Sequence, residues 1–154
     1  MFFLIAAAAG HASDVLIIYD TTAAGTGALT GALEGAGFTV TLSDTDETGY
    51  DGSNPSPYDF QAVIHLNGTT YSTSMPTSGQ QALVDYVNDG GGFISTEWNA
   101  YEREYSTMET MSDLILLSRS SGREGGSAIT YDVVKKEAGH PVLDGIPSLS
   151  LIHI

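Results

Sequence analysis

Residues 14–20, DVLIIYD, form an unbroken apolar run closed by an aspartate at each end. A strand with one wet face alternates apolar and polar residues. A run that is apolar throughout fits a strand covered on both faces, as central parallel strands are. Parallel neighbours are joined by long crossovers, ordinarily helical, so this stretch points to an α/β sheet with helices on both sides.

The rest of the chain supplies the alternation. A glycine-punctuated helical stretch follows, with Ala28, Leu29, Ala32, Leu33 and Ala36 on its inner face. FTVTLSD (38–44) is rich in β-branched residues and reads as a second strand. Residues 44–59 read as a polar loop, and FQAVIHLNG (60–68) as a third strand. Pro76 opens a helix with Leu83, Val84 and Val87 on one face, and Gly90 ends it. A fourth strand at 92–96 carries a buried Phe93-Ile94 pair and delivers Glu97 and Trp98. Tyr101, Tyr105, Met108, Met111 and Ile115 then recur at helical spacing, which fits core packing better than a cofactor box. SAITYDVV (127–134) reads as a fifth strand. The expected architecture is a three-layer α/β/α sandwich over residues 14–154, with a flavodoxin-like parallel sheet of about five strands and the first strand central.

The 154 residues suffice for one buried core. A net charge of −14, with no Lys or Arg before Arg103, repels phosphate backbones and anionic lipid and argues against nucleic-acid binding. No apolar run reaches the roughly 18 residues that cross a bilayer. There is no cysteine, which removes disulfides, thiolate metal sites and thiol nucleophiles together.

Residues 1–13 hold an apolar segment followed by small residues, with Gly10-His11-Ala12 resembling a signal-peptidase site. An exported protein, extracellular or periplasmic, is the expectation. A buried strand, or a start codon within a longer frame, are the other readings. The closing SLSLIHI stops in an apolar stretch, and a fold incomplete at its C-terminus is expected.

In open α/β sheets ligands bind beyond the C-terminal strand ends. The expected topology collects Asp20, Thr21, His65, Asn67, Thr96, Glu97, Trp98 and Asn99 there. Of these, Asp20, Thr21, Asn67, Thr96, Glu97, Trp98 and Asn99 are the expected ligand-binding set. Glu97, Asp20 and His65 are the candidates for catalysis. A carboxylate at a desolvated strand end can act as a general acid or base, but glycosidase chemistry needs a facing pair. Glu97 serves more simply as a cap of the following helix. Trp98 offers a flat apolar face to a sugar ring, or packs over the sheet edge. His65 on a buried strand is more simply a hydrogen-bonded core residue, and His140 before Pro141 a loop-fixing one.

Asp44, Asp46 and Thr48 alternate ahead of Gly49 as in a calcium loop, but Pro55 stands where the bidentate Glu belongs, so no metal is expected. AAGTGALTG (23–31) has Thr30 at the third glycine of a dinucleotide fingerprint, and a G-x-S-x-G elbow is missing. No cofactor is expected.

Three phrases, YDFQAVIHLNG, SGQQALVDYVNDGGGFIS and GHPVLDGIP, occur in one order between residues 58 and 147, within a similarity that runs over residues 14–147. In this they resemble the trehalose-utilisation (ThuA-like) branch of the class I glutamine amidotransferase-like superfamily. The resemblance implies a flavodoxin-like fold and a role near carbohydrate metabolism. The chain departs from the pattern in its chemistry. Amidotransferases carry a Cys on a strand-to-helix elbow, and here there is none. ThuA-like proteins carry a His after the glycine-rich strand, where Glu97 stands, and an His-Asp pair after strand 1, where Asp20 is followed by Thr21-Thr22. The expectation is therefore a non-catalytic binding or interaction domain with a polar, carbohydrate-type ligand. The alternative is a hydrolase or other sugar enzyme using Glu97 with Asp20 or His65.

Overall fold

The computed structural model describes residues 14–20, 24–67, 72–105 and 107–116, and two short strands at 130–132 and 151–153. The leader expected at 1–13, Thr21 and the loop expected around His140 lie outside the described residues. The chain divides into two compact units, 1–120 and 121–154.

In the first unit, β1 (Asp14–Tyr19), β2 (Thr39–Leu42), β3 (Ala62–Leu66) and β4 (Gly92–Ser95) form a parallel sheet in the order β2-β1-β3-β4. Val15 to Ile18 are all buried, as the unbroken apolar run requires. Alternate side chains of a strand serve opposite faces. Val15 and Ile17, with Ile64, meet Leu29 and Leu33 of α1 (Ala24–Gly35) on one side. Leu16, Ile18 and Val63 meet Leu83 and Tyr86 of α2 (Thr77–Asn88) and Ala100 of α3 (Glu97–Glu104) on the other. The result is the three-layer α/β arrangement with a flavodoxin-like order.

Both long helices end in the same way. Past α2, Gly90 takes φ +98° and donates to Val87 O, while Gly91 N–H reaches Tyr86 O at 2.9 Å. Past α1, Gly37 takes φ +93° and Phe38 N–H reaches Leu33 O at 3.1 Å. This paired bonding satisfies the last carbonyls, and only glycine adopts the left-handed turn without steric cost.

Several expectations change. The inner face of α1 is Leu29 and Leu33, and Ala28, Ala32 and Ala36 are exposed. The α2 core residues are Leu83 and Tyr86, with Val84 and Val87 at the margin. Ile94 is 55% exposed, because β4 is the outermost of the four parallel strands and α1 packs over Val15, Ile17 and Ile64. The Tyr/Met stripe is not one helix: α3 ends at Glu104. Met108, Met111 and Ile115 fill the core from the irregular segment that follows, and Tyr105 is exposed. Gln80 fixes that segment, with its side-chain oxygen accepting from Thr110 N–H at 3.1 Å. Residues 44–59 are not a solvated loop. They form 3-10 turns at Glu47–Gly49 and Pro57–Asp59, and Tyr50 is wholly buried. Gly79 lets this segment approach α2: a methyl there would strike the Tyr50 carbonyl oxygen and lie 3.0 Å from its carbon.

In the second unit, β5 (Thr130–Asp132) pairs antiparallel with β6 (Leu151–His153), in a sheet of its own. Among the described residues the parallel sheet therefore has four strands. The apolar pattern of 127–134 marks a strand without specifying its partner, and the partner is the closing Leu-Ile-His.

Candidate functional site

From β1 the sheet grows outward to β2 on one side and to β3 and β4 on the other. The strand order thus reverses at the β1–β3 boundary, where crevices open in such sheets. The register Ile18↔His65 and Tyr19↔Leu66, continued by Asp20 N–H to Leu66 O at 3.0 Å, brings Asp20 and Asn67 to that boundary. Asn67 N–H also donates to Thr96 Oγ1 at 3.1 Å, tying the ends of β3 and β4 together. His65 shares its strand face with Val63 and so turns toward the α2–α3 layer.

Below these strand ends lies a buried polar network. His65 Nε2 and Glu47 Oε2 are 2.6 Å apart. Asn67 Nδ2 donates to the same Glu47 oxygen at 3.0 Å and to Glu102 Oε2. Asn99 Nδ2 donates to the His65 carbonyl at 3.3 Å. His65, Glu47, Glu102 and Asn99 have no exposed surface, and Asp20 and Asn67 very little. The fold positions each member. Glu47 is carried by its 3-10 turn, which Asp46 caps by accepting from Thr48 N–H and Gly49 N–H. Asn99 and Glu102 lie three apart on the inner face of α3.

Burial pushes the Glu102 carboxyl up to about 9, and the neighbouring charges of Glu47 and Asp20 push the same way. The Asn67 amide opposes this only in part. Glu102 therefore holds its proton at neutral pH, beside carboxylates of different environment. A carboxyl raised in this way is a usual physical basis of acid–base chemistry in proteins, and also occurs in purely structural networks.

The expected site residues are placed as follows. Asp20 and Asn67 flank the strand-order reversal, and Asn99 lies within the network. Thr96 occupies the N-cap position of α3 without a side-chain cap bond, its oxygen being taken by Asn67. Glu97 and Trp98 are the first two residues of α3, and of these two the structure describes the backbone. His65 is the hydrogen-bonded core residue that its strand position implies. Asp46, from the calcium-like triad, spends one carboxylate oxygen on Thr48 N–H, Thr48 Oγ1 and Gly49 N–H. Among the described residues no three His, Asp or Glu side chains are grouped to hold a metal. Sequence reasoning missed Glu47 and Glu102. The Asn99–Glu102 spacing on a helix that directly follows a strand end was the one available signal.

No protein-family model matches the sequence, and no curated protein matches it. The fold is similar to that of a ThuA-like protein from Bacteroides uniformis ATCC 8492, with a TM-score of 0.60 and 17% sequence identity. The likeness covers 99% of this chain and 62% of that one, so the present chain spans less than two thirds of its length. The fold is ThuA-like, as the three sequence phrases imply. Among the described residues no helix is long and apolar enough to cross a membrane.

Proposed function

We propose that the chain is a non-catalytic binding domain of an exported bacterial protein. Its ligand is neutral and polar, of carbohydrate type, and is taken at the C-terminal sheet edge around Thr96, Glu97 and Trp98. One observation supports this above others. The acids and the imidazole gathered at the strand ends are buried and hydrogen-bonded into one network through His65 Nε2 and the Asn67 amide, with Asn67, at 5%, the most exposed of the network. Such a network holds the ends of β1, β3 and β4 and the inner face of α3 in one arrangement. A preorganised edge favours binding. Hydrolysis of a glycoside would need two carboxyl groups open to substrate and water. Glu97 and Trp98 are the first two residues of α3, and their types supply a carboxylate for hydroxyl groups and an aromatic plane for the C–H face of a ring.

The second reading, a sugar-processing enzyme, is favoured by Glu102, a proton-bearing acid beside Glu47 and Asp20. A glycan-array screen of the whole chain, repeated with Glu97→Gln and Trp98→Ala, tests the first reading. Binding lost in both variants with unchanged melting temperature is the expected result. Equal binding by all three proteins, or no glycan bound at millimolar concentration, overturns it.

A further inference from the structure

The network below the strand ends is unbalanced in kind. Its amide and ring N–H donors are spent: His65 Nε2 on Glu47, Asn67 Nδ2 on Glu47 and Glu102, and Asn99 Nδ2 on the His65 carbonyl. What remains without a hydrogen-bond partner among the described residues is His65 Nδ1, Asn67 Oδ1, Asn99 Oδ1 and Glu102 Oε1. Two of these are amide oxygens, which only accept. Nδ1 accepts in the tautomer that keeps the ring proton on Nε2 toward Glu47, and Oε1 accepts once Glu102 is ionised. All four belong to side chains at least nine-tenths buried; Asn67 bonds Glu102 and, through Glu47, meets His65, while Asn99 donates to the His65 main-chain carbonyl. Buried polar groups are almost always partnered, so a run of four unused atoms in one network marks a place for a guest.

We propose that this network binds a primary-ammonium group, either free ammonium or the protonated amine of a small ligand. The guest is a donor because the unused atoms are acceptors. It is positive because the carboxylates of Glu47 and Asp20 lie near enough to Glu102 to act on it, a gathering of negative charge. Arg103, the one Lys or Arg among the described residues, gives its guanidinium to the Ile115 carbonyl at 2.8 Å. A tetrahedral N–H donor suits the network better than a metal, since the described carboxylates and imidazole are not grouped as metal ligands. The Glu102 proton and the guest compete for one place. When the ammonium enters, the Glu102 O–H bond breaks, its electron pair stays on the carboxylate, and the proton leaves to solvent. This site stands apart from the carbohydrate reading at Glu97 and Trp98, and either can fail alone.

The test uses the whole chain near pH 7. Melting temperatures are compared in ammonium, methylammonium, sodium and tetramethylammonium chlorides at equal ionic strength, and in glucosamine against glucose. Ammonium should stabilise saturably where sodium and tetramethylammonium do not. Stabilisation by methylammonium and glucosamine as well assigns the site to a ligand's amine; stabilisation by ammonium alone assigns it to the free ion. Calorimetry in buffers of different ionisation heat should give about one proton released per cation bound. [15N]Ammonium should give a separate bound signal in NMR spectra, absent in Glu102→Gln. Equal melting in all salts with no bound ammonium signal would mean that water alone fills the network, and overturns the proposal. So would an unchanged bound signal in Glu102→Gln. If that variant does not fold, the bound signal and proton count of the unmodified protein decide.

Discussion

Replacing Gly79 by alanine probes the contact that carries Glu47 into the core. The added methyl would collide with the Tyr50 carbonyl oxygen and lie 3.0 Å from the Tyr50 carbonyl carbon and 3.2 Å from Met75 Cγ. The first two obstacles are backbone, which cannot rotate away as a side-chain tip can. Overpacking of this kind costs about 1–3 kcal/mol. Alanine's better helix propensity returns at most ~1 kcal/mol in the first turn of α2. A net loss of about 1–2 kcal/mol is expected, which lowers the melting temperature of a chain this size by about 2–8 °C. Gly31→Ala is the internal control, because it lies within α1 with nothing within 4 Å of the new methyl. There the same change should stabilise by about 1 kcal/mol. Thermal unfolding followed by circular dichroism reads both. A Gly79→Ala protein as stable as the parent, or one that gains like Gly31→Ala, would refute the close approach of Tyr50 to α2 and the placement of Glu47 that depends on it.

Two further predictions concern the buried network. Glu102 keeps its proton in the folded protein up to about pH 9, whereas it ionises near 4.5 when unfolded. Through that window the folded state binds more protons, so stability falls as pH rises and levels off above the folded value. Denaturant midpoints measured from pH 5 to 9 should fall less in Glu102→Gln than in the parent; parallel curves would contradict the assignment. Asn67→Leu removes the amide that serves Glu47 and Glu102 together; a hydrogen bond to a charged group is worth about 1.5–3 kcal/mol and one to a neutral group about 0.5–1.5 kcal/mol. A loss of about 3 kcal/mol in urea unfolding is expected, and a loss below 1 kcal/mol would show the amide to be dispensable.

The sheet was legible because burial on two faces leaves an unbroken apolar run, as in Val15–Ile18, and because Gly90 marks the end of α2. With four strands located, the strand ends that collect Asp20, His65, Asn67 and Thr96 followed from topology alone. Glu47 was hidden because it stands among Asp44, Asp46 and Asp51, and sequence does not distinguish the one acid that turns inward. Its burial depends on Tyr50 docking at Gly79, a contact 29 residues away in sequence. Glu102 was hidden behind Tyr101 and Tyr105, whose tilted rings lie 4.4 Å apart, in a stretch that also carries the partly exposed Arg103 and the exposed Glu104, while Asn99 and Glu102 face inward. An aromatic pair outside and a polar pair inside invert the usual helical pattern, and the inversion occurs at the candidate site.

The binding claim is open to a direct optical measurement, because Trp98 is the chain's only tryptophan. Its emission reports on the start of α3 and on nothing else. Titration of the unmodified protein with a glycan identified by array should shift or quench that emission saturably. The shift should disappear in Glu97→Gln, and the glycan should be recovered chemically intact after prolonged incubation. A glycan that binds by calorimetry yet leaves the emission unmoved would place the site elsewhere, and one recovered cleaved would make the domain an enzyme.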